Sequence, residues 1–425
     1  MHCDPRFSRV REVFARQFAE GLELGAAFAV YQNGELVVDL WDGVADGRTG
    51  RRWEHDTPVF AYSCTKAVTA TVLLQLAERG LVDVSAPVAD LWPEFAAEGK
   101  ASITVEHLLT HQAGLPLLEE PVPVALFEDQ PAIAARLAGQ APIWEPGSAH
   151  GYHALTYGFL VGEVVRRVTG KSVGDLVAAE IAGPLGLDLW VGAPDDVIER
   201  AARIKGPGRR SDPVTAVPEQ AARDATGGAA GVAAGSTAPD AAGGAAESAA
   251  RGAGGDAAGG AAGGTVFTRM AAAARDPQSL MNRALGNPDM RLLDGGANNP
   301  VILRAGWPAA GVVTSAAGLA GFYRALVAGE LLRPETLSDA IRPRVTGPDR
   351  ILSVDSSFGL GYMRPAMTFL APSPSAFGHS GAGGFLGLGD AEHGLAAGYV
   401  MNQMADALSG SMRAYHLIQA VYESL

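Results

Sequence analysis

Ser63-Cys64-Thr65-Lys66 stands at the head of the run Lys66-Ala-Val-Thr-Ala-Thr-Val-Leu-Leu-Gln-Leu-Ala-Glu-Arg-Gly80. Val68, Val72, Leu73 and Leu76 recur at helical spacing and Gly80 supplies a stop, so the run predicts a helix that opens close to Ser63. Positions i and i+3 share a helix face, which brings the Lys66 amine within reach of the Ser63 hydroxyl. The lysine is out of character with the chain: of 33 basic residues, only Lys66, Lys100, Lys171 and Lys205 are lysines. Arginine keeps its proton near neutral pH, whereas a buried lysine can lose it and act as a base. Ser-x-x-Lys is a short pattern, and two readings fit it. Either Ser63 is a nucleophile with Lys66 as its base, or Ser63 is an N-cap and Lys66 turns to solvent.

The chain has 425 residues, 48% of them hydrophobic, enough for a large core in two lobes. Its net charge of −13 and the lack of a basic stripe argue against a nucleic-acid partner, because binding the phosphate backbone needs dense positive charge. Two cysteines, Cys3 and Cys64, make no disulfide framework, and no Cys/His cluster has zinc spacing. Consecutive helical side chains diverge by about 100°, so Cys64 should face away from Ser63 as a small core residue. Asp4, Arg6, Arg9, Arg11 and Glu12 precede any long apolar run, which is not a signal peptide, and no stretch is long enough to span a membrane. A soluble, cytoplasmic chain is expected. Phe7, Val10, Phe14 and Phe18 predict an amphipathic first helix.

Asn33-Gly34 lies between Ala26-Ala-Phe-Ala-Val-Tyr31 and Leu36-Val-Val-Asp-Leu-Trp41, a hairpin signal. Near the other end, Gly384–Gly389 and Leu395–Asn402 read as strands. Leu408, Met412, Tyr415, Ile418 and Tyr422 then share one face of a last helix. Strands and helices at both ends enclose a mostly helical middle. This predicts an α/β (α+β) class, with a discontinuous α/β lobe at 1–75 and 310–425 and a helical lobe at 76–309. Residues 206–264 contain no Leu, Ile, Phe, Met, Trp or Tyr. Too little apolar surface is available there to offset ordering, so a flexible Gly/Ala-rich insertion is expected. A site would fall in the cleft between the lobes.

A serine with a lysine base needs a proton shuttle and an oxyanion hole. Tyr152, in Tyr152-His153-Ala154 after the turn Trp144-Glu-Pro-Gly147, precedes a helix bearing Tyr157, Val161, Val164 and Val168 on one face. A phenol placed there can carry a proton between nucleophile and leaving group, although an ordinary half-buried tyrosine fits as well. Gly378-His379-Ser380-Gly381-Ala382-Gly383-Gly384-Phe385 lets a substrate approach the backbone closely. The Ala382 N–H can then pair with that of Ser63 as oxyanion donors, unless the segment is a plain turn with a surface histidine.

These pieces in this order resemble the serine β-lactamase and penicillin-binding superfamily, above all class C β-lactamases and family VIII carboxylesterases. The likeness rests on Phe60-Ala-Tyr-Ser-Cys-Thr-Lys66, His107-Leu-Leu-Thr-His-Gln-Ala-Gly-Leu115, Trp144-Glu-Pro-Gly147 and His379-Ser380-Gly381, and covers most of the chain outside the insertion. It implies an antiparallel sheet flanked by N- and C-terminal helices beside a mostly helical lobe. It also implies Ser63 as nucleophile, Lys66 as base, Tyr152 as second base and acid, and His379 where the family has Lys or His. Ser380 and Gly381 would line the substrate site, and His107 and His111 look like scaffold. Where the family's lactamases carry Tyr-x-Asn, this chain has Ala154, and His379 removes a fixed positive charge at neutral pH. Both departures favour plain esters over β-lactams.

Gly170-Lys171-Ser172-Val173-Gly174 also fits Gly-x-Ser-x-Gly. That motif needs a strand before the serine, whereas here Ser172 and Asp175 read as a capping box. The sequence therefore points to a serine carboxylesterase acting on small ester substrates through an acyl-enzyme, with no metal or organic cofactor. Trp307 is a candidate for the acyl pocket, or a core tryptophan. An acyltransferase using the same acyl-enzyme, a β-lactamase or D-peptidase, and an inactive binding protein of this fold are the alternatives.

Overall fold

Asn33 and Gly34 both take positive φ, 51° and 85°, the backbone of a tight turn whose twist matches its strands. They join Gly25–Gln32 to Glu35–Asp46, as the sequence predicts. In the computed structural model, which describes residues 1–206, 273, 275–405 and 410–425, this hairpin continues into strands from the other end of the chain. Gly25–Gln32 pairs antiparallel with Leu395–Met401, which pairs with Leu386–Asp390, which pairs with Phe377–Ser380. Among the described residues this sheet has seven strands, running from His2–Cys3 at one edge to Phe377–Ser380 at the other.

The central strands Gly25–Gln32 and Leu395–Met401 are buried almost throughout, because helices pack against the sheet. The Ala316–Val327 helix lies on Leu395–Met401. Gly398 permits that contact, since a Cβ there would meet the Ala316 carbonyl at 2.5 Å. The Ser8–Ala19 helix packs against Met412–Tyr422. A second, three-stranded sheet joins Val59–Phe60, Val312–Thr314 and Leu189–Val191. It brings residues 312–314 beside the approach to Ser63. The Thr156–Thr169 helix packs on Thr65–Glu78 and on Gln130–Ala138.

The last helix needs a correction. Its buried seam is Arg413, Ala414, Leu417, Ile418 and Val421, while Met412, Tyr415 and Tyr422 are only half-buried. Ala414, Leu417, Ile418 and Val421 recur at i, i+3, i+4 and i+7, an apolar stripe turned from the expected face. Arg413 joins it, reaching buried Glu23 at 2.9 Å and donating to the carbonyls of Leu22 and Gln403. Leu408 and residues 207–264 of the expected insertion lie outside the described residues. Among the described residues, no helix is long and apolar enough to cross a membrane, and no group of three or more His, Cys, Asp or Glu is placed to hold a metal ion.

Candidate active site

Tyr62–Cys64 forms a 3-10 turn that runs into the Thr65–Glu78 helix. Thr65 staples this junction: its hydroxyl oxygen accepts from the Val312 N–H at 2.9 Å and its proton goes to the Tyr62 carbonyl. Tyr62 has φ 47°, a left-handed backbone that costs a bulky residue about 1–3 kcal/mol and persists only where packing holds it. Its ring packs on Phe60 and Phe385. Cys64 is fully buried and donates to the His379 carbonyl, with burial pushing its thiol up to about 12. It is a core residue, as expected.

Lys66 is 0% exposed, which excludes the reading that turns it to solvent. Its Nζ lies 2.7 Å from the Ala154 carbonyl, 3.0 Å from the Ala309 carbonyl and 3.1 Å from Ser63 Oγ. Burial pushes its pKa well below the ordinary lysine value. A neutral amine has two protons and one lone pair. The two carbonyls take the protons, which leaves the lone pair for the Ser63 hydroxyl.

Tyr152 reaches the same point from another segment. Its hydroxyl faces the Ser63 side chain, and its ring centroid lies 4.7 Å from Lys66 Nζ. Burial raises the phenol above its usual value, so the group stands as a neutral donor beside the Lys66 amine. The segment is locked along its length. Gly151 N–H donates to the His111 carbonyl at 3.0 Å, and His153 N–H donates to His111 Nδ1 at 3.1 Å. Tyr152 N–H donates to both oxygens of Asp349, at 3.1 and 3.2 Å. His153 Nε2 accepts from Leu115 N–H, so its proton sits on Nδ1 and goes to the Gly151 carbonyl. Burial holds His153 down to about 4 and His111 well below the ordinary value. Both are neutral scaffold residues. His107 completes a capping box with Thr104 at the head of Val105–Leu109.

His379 ends the triangle on the sheet-edge strand. Its Nδ1 lies 2.7 Å from the Ser380 carbonyl, which can only accept, so the ring proton is on Nδ1 and the buried Nε2 lone pair has no partner. Burial pushes this imidazole to about 3. The Ser380 hydroxyl donates to the Thr368 carbonyl at 3.1 Å. Gly381 abuts the Tyr62–Cys64 turn so closely that a Cβ would stand 2.5 Å from the Ala61 carbonyl. This sets the loop that carries Ala382 against the turn that carries Ser63.

Of the two readings of Trp307, its burial fits the core tryptophan. It is 2% exposed, donates from Nε1 to the Phe127 carbonyl at 2.7 Å and meets Phe127 and Phe159 edge to face. Its segment serves the site through backbone instead, two residues on, at the Ala309 carbonyl. Ser172 and Asp175 form the reciprocal cap of Val173–Leu176, far in role from catalysis. Sequence reasoning missed Asp349 and the two carbonyls around Lys66. Backbone acceptors carry no residue signature, and Pro348-Asp349 reads as an ordinary turn. The dense run His150-Gly-Tyr-His153 was the available hint of a built polar site.

A family model described as Beta-lactamase matches residues 11–422. Esterase/beta-lactamase LipL of Mycobacterium tuberculosis is 33% identical over 436 residues, covering 98% of this chain and 87% of that protein. A crystal structure of a family VIII carboxylesterase superposes with a TM-score of 0.80 at 33% identity, covering 100% of this chain and 99% of that one. Monacolin J acid methylbutanoyltransferase of Aspergillus terreus is 33% identical over 157 residues, covering 31% of this chain and 37% of that enzyme.

Proposed function

This chain belongs to the beta-lactamase family and has its fold, and we propose that this serine hydrolase is a carboxylesterase acting on small, uncharged esters through an acyl-enzyme on Ser63. The observation that carries the reading is the Lys66 amine, whose protons are taken by two carbonyls while its lone pair faces Ser63. Neutral Lys66 takes the hydroxyl proton as Ser63 Oγ attacks the ester carbonyl. The Ser63 and Ala382 amides receive the oxyanion. Tyr152 gives its phenolic proton to the departing alkoxide and regains one from Lys66. Water then cleaves the acyl-enzyme by the reverse relay, releasing the acid.

Neutral esters fit the charge balance of the site. His379 is held uncharged at neutral pH, so no fixed cation is offered there to a substrate carboxylate, and Ala154 brings no side-chain amide. A phosphonate ester probe tests the assignment: it should label Ser63 and leave Ser63→Ala unlabelled. Labelling at Ser172, or none, would falsify it.

A second reading has one specific support. The Aspergillus relative is named for acyl transfer, and an acyl-enzyme does not fix which nucleophile discharges it; pocket dryness does. Product analysis with an alcohol or amine competing against water separates the two, and a chromogenic cephalosporin in the same panel reads any β-lactamase activity.

A further inference from the structure

Asp349 is 2% exposed, at the head of a short loop. Its Oδ1 accepts from the Ile351 and Leu352 N–H groups, both at 2.9 Å, as an aspartate does for its own turn. Both oxygens also accept from the N–H of Tyr152, which that turn does not require. Oδ2 accepts the Ser356 hydroxyl proton at 3.0 Å. With that proton committed, the Ser356 oxygen can only accept from His150 Nε2, 3.0 Å away. A one-way relay results, from His150 through Ser356 to Asp349. The same loop adds Arg350 N–H to the His150 carbonyl at 3.2 Å, and Phe358, ending the strand Asp355–Phe358 that follows, stacks on the Tyr152 ring at 6.1 Å and 13°.

We infer that Asp349 is the positioning residue for the Tyr152 phenol, clamping that residue's backbone so that its hydroxyl stays on Ser63. The inference rests on the reading of Tyr152 as proton carrier. Its charge acts in the same direction, opposing ionisation of the phenol and keeping the donor form. A proton relay tolerates little misplacement, since a shift near 1 Å can cost on the order of 100-fold.

Asp349→Asn tests this in the full chain. It keeps the shape but puts an N–H donor in place of one acceptor oxygen. Ser356 then accepts from the new amide and turns its proton to His150, so the His150 proton moves from Nε2 to Nδ1, readable by nitrogen-15 NMR. We expect kcat on an ethyl ester to fall roughly 10- to 100-fold with KM little changed. The loss on the p-nitrophenyl ester should be several-fold smaller, because p-nitrophenolate departs without a proton. Tyr152→Phe should be slow on the ethyl ester, and adding Asp349→Asn to it should cost little more.

If Tyr152→Phe retains full activity, the proton-carrier reading falls and the inference falls with it. If Tyr152→Phe is slow while Asp349→Asn is unimpaired, equally impaired on both esters, or fully additive with Tyr152→Phe, only the clamp is overturned. Should Asp349→Asn fail to fold, Ser356→Ala releases one anchor of the carboxylate. A loss of a few-fold, again larger on the ethyl ester, would support the clamp, and no loss or an equal loss on both esters would overturn it.

Discussion

The carbonyl of Ala154 lies 2.7 Å from the Lys66 amine, two residues along the chain from Tyr152. One segment therefore fixes the amine and the phenol together, and it fixes the amine in a wholly buried position. Burial disfavours the ammonium form, so Lys66 loses its proton well below the ordinary lysine value of 10.5. The neutral fraction grows as pH rises through that lowered value. The rate constant kcat/KM on a neutral ester should therefore climb along an acid limb and level off below the usual lysine range. A pH–rate profile checks this, and a limb centred near 10.5 would contradict it. Lys66→Arg, which cannot shed its proton, should lose on the order of 100- to 10,000-fold in kcat.

The same burial sets a pH dependence of stability. His153 and His379 are held neutral down to about 4 and about 3, and burial lowers His111 well below its ordinary value. Below about 6.5 the unfolded chain binds these protons and the folded chain does not, so stability falls with pH. Each histidine contributes about 1.4 kcal/mol per pH unit until its folded value is reached. Glu23 works in the opposite sense. Burial raises it to about 7, so between its ordinary 4.5 and 7 the folded chain holds the extra proton, and that stability is lost as pH rises. It offsets one histidine of the three. Urea midpoints should therefore fall between pH 6.5 and 5, and His379→Gln should flatten the slope. A midpoint that rises on acidification would refute this account.

The legible features were those set by local chemistry. Asn33-Gly34 closes its hairpin and Ser172 caps its helix because turn and cap preferences act over a few residues. Ser63 and Lys66 meet because helical spacing places them so. Tyr152 and His379 were named through order and resemblance, since nothing local tells a phenol which serine it will face. The misses share a cause. Arg413 on Glu23, Asp349 on Tyr152 and Ala309 on Lys66 are contacts over long separations. Trp307 was ambiguous because only its neighbours decide whether an indole packs or lines a pocket.

Replacing His379 by lysine would test the charge argument for ester preference. The native imidazole is neutral, with its proton on Nδ1 toward the Ser380 carbonyl. The same burial disfavours an ammonium in its place, but a substrate carboxylate beside it would hold the charge, and a charge-assisted hydrogen bond is worth about 1.5–3 kcal/mol, or tenfold and more. His379→Lys should raise turnover of a cephalosporin relative to a neutral ester by about tenfold. An unchanged ratio would mean that residue 379 does not set the preference.

Trp307 offers a prediction in which stability and activity part company. Its indole N–H satisfies the Phe127 carbonyl in a buried setting, and its ring fills the space between Phe127 and Phe159. Trp307→Phe keeps most of the aromatic volume but leaves that carbonyl without its donor, at a cost of about 1–3 kcal/mol. The Ala309 carbonyl belongs to the backbone and is retained, so Lys66 keeps both acceptors. The urea midpoint should drop, whereas the order of rates across esters of increasing acyl length should stay as in the native chain. A reordered acyl preference with unchanged stability would return Trp307 to the wall of the acyl pocket.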